Sequence, residues 1–94
     1  MKIAGVIWLR NVVDKLAWKH SVTTDEVEEV FKRSPRYRLI EAGDVAGEDL
    51  YVALGQTGAG RYVIVYFICK ATLEALIVSA REMTPKEKKA YGKR

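Results

Sequence analysis

An unbroken apolar run of seven residues, 63–69, constrains this chain more than any other feature of its sequence. Seven residues are too few to cross a bilayer and have the length of a β-strand. Together with the residues before it, the run predicts a strand over 61–68 that is apolar on both faces, as strands in the middle of a sheet are. Because the chain has 94 residues, it is long enough for one domain, 1–94, with one core and one shallow site.

Four further β-rich segments accompany this central strand. Gly43 and Gly47 lie in the loop before the predicted strand 50–56. Gly58 and Gly60 indicate a hairpin connection between that strand and the central one. Short connections of this kind join antiparallel strands. The five predicted strands are 3–9, 37–41, 50–56, 61–68 and 74–81.

Two capping boxes mark the starts of two helices. Thr23 is followed three residues later by Glu26, and Thr84 by Glu87 with a proline between them. In this pattern the two side chains bond to each other's backbone N–H groups, which satisfies donors that the helix itself leaves unpaired. We therefore expect helices to begin directly after Thr23 and Thr84.

A stripe of apolar residues over 11–20 predicts another helix, ahead of these two. Its apolar side chains include Leu16 and Ala17, and Asn11 is the expected N-cap. The predicted element order is β-α-α-β-β-β-β-α. This order indicates an α+β domain, in which helices pack on a mostly antiparallel sheet.

The charge balance and the scarcity of metal ligands exclude several kinds of site. The chain has 16 Lys and Arg against 12 Asp and Glu, a net charge of +4, which permits an anionic partner such as RNA or DNA. One cysteine, Cys69, allows neither an internal disulfide nor a cysteine-based zinc site, and we expect no metal and no cofactor. A reducing, cytoplasmic compartment and no membrane partner are expected.

Two arginines are predicted to lie opposite each other in the hairpin of the last two strands. If that hairpin is centred near Ala71, Arg61 faces Arg81 directly, on the same face of the sheet. Like charges in this arrangement are unfavourable, so a carboxylate such as Glu82 or Glu48, or a bound anion, must compensate. A phosphate between the two guanidinium groups is the functional interpretation. An ion pair, or a side chain turned to solvent, is the structural one.

Lys19 and His20 end the first predicted helix. His20 continues the apolar stripe, so we expect its ring to be partly covered at the edge of the core. Histidine exchanges protons near neutral pH, which suits general acid–base catalysis, and Lys19 would add positive potential. A histidine at a helix C-terminus is also favoured by the helix dipole, which leaves a purely structural role open.

A basic segment, 32–38, contains Arg33, Arg36 and Arg38 beside an aromatic residue. This composition suits contact with a nucleic-acid backbone, and we interpret the three arginines as candidate RNA-binding residues. The alternative is a solvated loop and an edge strand whose charge prevents aggregation.

The last predicted helix is also basic, and it carries Lys86, Lys88, Lys89, Lys93 and Arg94. Its charges are explained by the helix dipole alone, with RNA binding through Lys89 as the alternative. Tyr91 is expected in the core or in a stacking contact. Trp8 and Trp18 are expected to pack.

An ordered set of short motifs runs along nearly the whole chain. It consists of Trp8, Lys19-His20-x-Val22, the acidic and apolar segment 25–31, Gly47-Glu48, Gly55-x-x-x-x-Gly60-Arg61, Ser79-Ala80-Arg81 and Thr84-x-x-Glu87 with Tyr91. This set resembles the BrnT family of toxins from type II toxin–antitoxin modules.

The resemblance implies a RelE-like α+β fold and a metal-independent endoribonuclease that inhibits translation. It also implies RNA as substrate and a DNA-binding antitoxin of the BrnA type as partner, with a homodimer left open. The catalytic residues that it implies are Lys19, His20, Arg61 and Arg81. Ribonuclease chemistry without metal needs an acid, a base and cations, so His20 is interpreted as acid or base and the arginines as a phosphate clamp.

The chain departs from the family pattern at Leu9, Leu16, Ser21 and Leu76. Family members commonly have an acidic residue, Asn, Gly and a basic residue at these four positions. The departures keep a second interpretation open, a catalytically weak or inactive domain of the same fold that binds RNA or an antitoxin.

Overall fold

The computed structural model describes residues 1–92, so Lys93 and Arg94 of the last predicted helix lie outside the described residues. Within residues 1–92, five strands and three helices follow one another in the predicted order. The strands are β1 (Gly5–Ile7), β2 (Arg36–Glu41), β3 (Asp49–Gln56), β4 (Tyr62–Cys69) and β5 (Glu74–Glu82). The helices are α1 (Arg10–Lys15), which continues as a π-helical turn over Leu16–His20, α2 (Thr24–Lys32) and α3 (Pro85–Gly92).

The strands form one sheet in the order β1-β5-β4-β3-β2. β1 pairs with β5 in parallel and the other neighbours are antiparallel, which confirms the predicted α+β class. β4 is the middle strand, as its apolar run predicts. No helix within residues 1–92 is long and apolar enough to span a membrane.

The two faces of the sheet are covered by different helices. On the α2 face, the core combines the π-helical turn, α2 and alternate strand residues, among them Leu16, Val27, Val30, Val63, Val65 and Phe67. On the α3 face, a smaller cluster contains Val52, Leu54, Ile64 and Met83, with Tyr62, Tyr66 and Tyr91 packed against it. Both faces of β4 are therefore buried, which is why its sequence lacks polar alternation.

Both predicted capping boxes are confirmed. The Thr23 hydroxyl accepts the N–H of Glu26 at 3.1 Å, and the Glu26 carboxylate accepts the N–H of Thr23 at 3.0 Å. Thr84 and Glu87 make the same reciprocal pair at 3.1 and 2.8 Å. These local bonds start α2 and α3 at the residues that the sequence indicates.

The N-cap of the first helix lies two residues earlier than predicted. Leu9 is its N-cap, because the Leu9 carbonyl accepts the N–H groups of Val12 and Val13, and no side chain caps it. The prediction of Asn11 as N-cap is therefore wrong.

After Lys15 the backbone widens into the π-helical turn, which alters the predicted apolar stripe. Leu16 is buried there, but Ala17 is exposed and the Trp18 side chain is 78% exposed, so the prediction that Trp18 packs is wrong. The wider turn shifts the side chains from the α-helical period that the stripe assumed. Trp8 does pack on the core, and its Nε1 donates to Glu28 at 3.1 Å.

Two features of the last hairpin overturn the predicted pairing of Arg61 with Arg81. Cys69 lies opposite Ala75, so the hairpin is centred at Thr72 rather than Ala71, and β5 contains a β-bulge further along. Tyr66 of β4 lies opposite Ser79, whereas the next residue, Phe67, lies opposite Ile77, so Val78 has no partner on β4. Arg81 is consequently opposite Ile64 and belongs to the α3 face. Arg61 precedes β4 and bonds to α2, so the two arginines are on opposite faces and do not form one clamp.

The π-helical turn ends at Ser21, whose backbone is left-handed with φ 54° and ψ 36°. This conformation is strained for residues other than glycine. We predict that Ser21→Gly raises the free energy of unfolding by about 0.5–1 kcal/mol, because relief of strain exceeds the entropy that glycine adds to the unfolded chain. Urea denaturation measures the change.

Ser79→Gly is the matched control for this prediction, since Ser79 lies in β5. Glycine weakens a strand interior, so here the same substitution lowers the free energy of unfolding. Equal effects of the two changes, in sign and size, would contradict the assignment of strain to Ser21.

Candidate functional site

The turn before β4 places Arg61. Thr57 is fully buried, its N–H donates to the Arg61 carbonyl at 2.8 Å, and its hydroxyl accepts the Arg61 N–H at 3.1 Å. Gly60 completes the turn with a φ of +95°, which glycine adopts without strain. The backbone of Arg61 is thus fixed at the end of the sheet, on the α2 face.

The Arg61 side chain joins three separate parts of the chain. Its Nη1 donates to the Ser21 carbonyl at 2.6 Å and to the Glu26 carboxylate at 3.0 Å, and its Nε donates to Glu82 at 2.7 Å. Ser21 directly follows His20, the last residue of the π-helical turn. Lys19, His20, Ser21, Glu26, Arg61 and Glu82 together are called the His20 site below.

The charges of the His20 site stabilise one another. Burial acts to lower the pKa of Arg61, but its hydrogen bonds to Glu82 and Glu26 outweigh burial and raise that pKa. Burial likewise acts to raise the pKa of Glu26, but the Thr23 backbone and Arg61 lower it. Glu26 therefore stays ionised at neutral pH and holds Arg61 in place.

Lys19 and His20 are the last two residues of the π-helical turn, directly before Ser21. His20 is partly buried and Lys19 is exposed, as their positions at the end of the helix predict. Histidine is the one side chain type that ordinarily changes charge near neutral pH, and His20 is the single histidine of the chain. The fixed guanidinium of Arg61 therefore lies against the backbone that directly follows a residue type suited to proton transfer.

A second candidate lies on the opposite face of the sheet, between the strands and α3. This α3 cleft has a volume of about 240 Å³. Apolar side chains of three strands and α3 line it together with two tyrosines: Ile40, Val52, Leu54, Ile64, Ala90, Tyr66 and Tyr91. Charged side chains also border it: Arg36, Arg38, Lys86 and Glu87.

Arg81 attaches α3 beside this cleft. Its Nη1 and Nη2 donate to the two carboxylate oxygens of Glu87 at 2.7 and 2.9 Å, and Nη2 also donates to the Tyr66 hydroxyl at 3.3 Å. The hydrogen bonds from Arg81 lower the pKa of Glu87 to about 2, and the bonds to Glu87 raise the pKa of Arg81. The result is a two-pronged ion pair, the strongest form that arginine makes with a carboxylate.

The predicted RNA-binding residues do not all come together. Arg36 and Arg38 both reach the α3 cleft from alternate positions of β2. Arg33 is exposed at the end of α2, where its Nε donates to the Gln56 carbonyl at 3.1 Å. Lys89 is exposed on α3 but does not line the cleft, whereas Lys86 does.

No motif in the sequence marks Tyr66 as a site residue. It lies inside the apolar run of β4, where nothing in the pattern distinguishes it from core residues. Its position between two residues of the α2 face, Val65 and Phe67, is the one signal that assigns it to the α3 face. Among residues 1–92, no group of three His, Cys, Asp or Glu side chains is arranged to hold a metal ion.

Comparison with known protein families decides what kind of chain this is. A family model described as ribonuclease toxin, BrnT, of type II toxin–antitoxin system, matches residues 10–87. The chain belongs to the BrnT family. The match includes His20, Arg61 and Arg81, whereas β1 and Tyr91 of this BrnT chain lie outside it. No curated protein sequence matches the chain.

Membership of the BrnT family confirms the resemblance found in the motifs. It makes this chain the ribonuclease toxin of a type II toxin–antitoxin pair, with RNA as substrate and an antitoxin as partner. The family does not by itself say which of the two candidates, the His20 site or the α3 cleft, acts on the RNA.

The Glu87 pair predicts how the stability of this BrnT chain depends on pH. Because the pKa of Glu87 falls from 4.5 to about 2 on folding, the stabilisation is complete above pH 4.5 and is lost as the pH falls towards 2. We expect Glu87→Gln, which can keep the capping box, to lower the free energy of unfolding by about 1 kcal/mol at pH 7.

Denaturant titrations at several pH values test this. The difference between the native chain and Glu87→Gln should shrink between pH 4.5 and pH 2. A difference that stays constant over this range would contradict the ion pair as its cause.

Proposed function

We propose that the chain is a metal-independent endoribonuclease that cleaves RNA at the His20 site and thereby inhibits translation. The observation that carries the proposal is the 2.6 Å hydrogen bond from Arg61 to the carbonyl of Ser21, the neighbour of His20. It holds a cation against the backbone of the residue that follows the chain's one histidine, and proton transfer and charge stabilisation are both needed at a phosphodiester.

The proposed reaction is attack by a ribose 2′-hydroxyl on the adjacent phosphorus. A base takes the 2′-hydroxyl proton, the 2′-oxygen–phosphorus bond forms, and the bond to the 5′-oxygen breaks as an acid protonates that oxygen. His20 is the proposed acid or base, with Glu82 as a further candidate for the base. Glu48 is not a candidate at this site, because it directly precedes Asp49, which pairs with Cys69 at the opposite end of β4. Lys19 contributes positive potential from the exposed side of the π-helical turn.

Arg61 is suited to stabilise the phosphoryl oxygens. Among residues 1–92 its hydrogen bonds engage Nε and Nη1, which leaves the two N–H groups of Nη2 for a phosphate. Its carboxylate partners fix the guanidinium in place, so little reorganisation is needed when charge develops. Arg81 cannot share the same phosphate, and we propose that it contacts RNA at the α3 cleft instead.

The alternative is a catalytically weak or inactive domain that binds RNA or the antitoxin. One observation favours it, because Glu26 and Glu82 hold Arg61 and Glu87 holds Arg81, so internal carboxylates compete with phosphate for both cations. The departure at Leu16 does not favour this alternative, because the Leu16 side chain is buried in the core and is not exposed at the His20 site.

For the partner, we propose a DNA-binding antitoxin of the BrnA type, as the resemblance implies. β2 lies at an edge of the sheet, and Leu39 and Ile40 are about half exposed there. An edge strand offers unpaired backbone groups to another chain. This edge is the surface that we propose for a partner chain, including a second copy in a homodimer.

Cleavage of RNA in EDTA tests the proposed activity. We expect the native chain to cleave, His20→Ala to lose about 10²–10⁴-fold in rate, and Arg61→Ala to lose about 10²–10³-fold. Lys70→Ala is the control, since it removes a positive charge at the opposite end of β4. Circular dichroism and melting temperature establish that each variant is folded.

Two results would overturn the assignment. Native-like cleavage by His20→Ala would remove His20 from the chemistry, and loss of all cleavage in EDTA, with restoration by Mg²⁺, would disprove metal independence. RNA binding by the folded native chain, without cleavage of free or ribosome-bound RNA, would establish the alternative.

The salt dependence of RNA binding tests the predicted contribution of β2. Each phosphate contact with a single strand contributes about 0.7 to the slope of log affinity against log salt concentration. We expect Arg38→Ala to reduce that slope by about 0.7, and Lys70→Ala to leave it unchanged. Fluorescence anisotropy with a labelled oligonucleotide measures both, and an unchanged slope in Arg38→Ala would remove Arg38 from the RNA-binding surface.

A further inference from the structure

We propose that the α3 cleft binds one nucleobase of single-stranded RNA and so sets the sequence preference of the chain. The inference rests on the proposed function for its substrate, but it concerns the face of the sheet opposite to the His20 site. It therefore separates the residues that select the RNA from those that cleave it.

The cleft exists because α3 covers its face of the sheet incompletely. α3 contributes no fully buried residue, although Val52, Leu54 and Ile64 below it are almost completely buried. The small Ala90 of α3 lines the cleft at its exposed rim, so a larger side chain at this position would occupy part of the cleft. A narrow cleft above an apolar floor suits a planar, largely apolar group.

Two tyrosines border the cleft, and both rings are held in place by neighbours. Tyr91 meets the Tyr62 ring edge-on at 6.0 Å, and the Arg36 guanidinium lies 5.3 Å from the centre of the Tyr91 ring. The Tyr66 hydroxyl accepts a hydrogen bond from Arg81, whose guanidinium lies 5.9 Å from the Tyr66 ring. Rings held in this way lose little freedom when a base stacks on them.

The size of the cleft favours a single base. Sites for drug-sized ligands have volumes of about 300–1,000 Å³. The 240 Å³ of the α3 cleft lies below that range and suits one ring system rather than a whole nucleotide or a folded peptide.

The charge around the cleft indicates a base that is joined to phosphates. Arg36, Arg38 and Lys86 border it, while the negative charge of Glu87 is bound by Arg81. The surroundings are therefore cationic, and the apolar floor lies between cations of β2 and α3. Single-stranded nucleic-acid sites combine these features, with aromatic rings for bases and cations for the backbone.

The test measures binding separately from cleavage. The probe is a labelled RNA oligonucleotide with 2′-O-methyl riboses, which removes the hydroxyl that the proposed cleavage needs. One base at a time is replaced by an abasic position, and affinity is measured by fluorescence anisotropy. We expect one abasic position to weaken binding by about 5- to 100-fold, the range of one stacked base, and the others to have little effect.

Variants locate the sensitive base in the cleft. Tyr91→Leu and the cleft-filling Ala90→Leu should weaken binding of the intact oligonucleotide by a similar factor and abolish the effect of the sensitive abasic position. Tyr51→Leu is the matched control, because Tyr51 packs on Phe67 on the α2 face. It should keep the position-dependent effect even if it destabilises the fold.

Several outcomes would overturn the proposal. An equal effect of abasic positions along the whole oligonucleotide would mean that no single base is selected. Persistence of the sensitive position in both cleft variants would locate its pocket elsewhere. An acidic peptide that displaces RNA, and whose own binding depends on Tyr91 and Ala90, would make the cleft a protein-docking site.

The same data distinguish this inference from the proposed function. Loss of cleavage in EDTA with a retained abasic effect would refute the proposed catalysis and support the base pocket in an RNA-binding domain. Cleavage that depends on His20, with no position-dependent binding, would support the nuclease and refute the pocket.

Discussion

Val78 is an extra residue in β5 with no partner on β4, and it determines which face of the sheet each later side chain of β5 occupies. Before the bulge, Ala75 and Ile77 are buried on the α2 face, and after it Ala80 is buried there. Without the extra residue, strict alternation would turn Arg81 towards the α2 face, the face that holds Arg61. The bulge thus separates two arginines that a regular ladder would bring near each other, where like charges repel.

Each arginine then joins the sheet to a different helical element. Arg61 connects the end of the π-helical turn and α2 to the strand hairpin, and Arg81 connects α3 to β5. Each pair is partly exposed, so its contribution to stability is modest, but both determine geometry because arginine bonds in a planar, directional way. On one face the outcome is a cation fixed against the backbone carbonyl of Ser21, the residue after His20, and on the other an aromatic cleft with cationic surroundings.

Sequence reasoning succeeds here where the signal is local. The Thr23 and Thr84 capping boxes, the apolar run of β4 and the glycine turns each specify an element through neighbouring residues, and the element order follows from them. It fails where an irregularity in the backbone shifts which side chains lie on which face of a helix or strand. The π-helical turn exposes Trp18, and the extra residue Val78 moves Arg81 to the other face of the sheet. Neither the π-helical turn nor β5 contains a proline or glycine that would indicate the irregularity.

The two irregularities also explain how the chain can depart from its family pattern and keep a coherent site. Leu16 begins the π-helical turn and is buried, so an apolar residue there anchors the turn that presents His20. Ser21 has a strained, left-handed backbone conformation, and its carbonyl accepts a hydrogen bond from Arg61. Tyr91, which lies beyond the segment matched by the family, contributes to the α3 cleft. Under the two proposals, the chemistry on one face would stay the same while base selection on the other would change with the C-terminal helix.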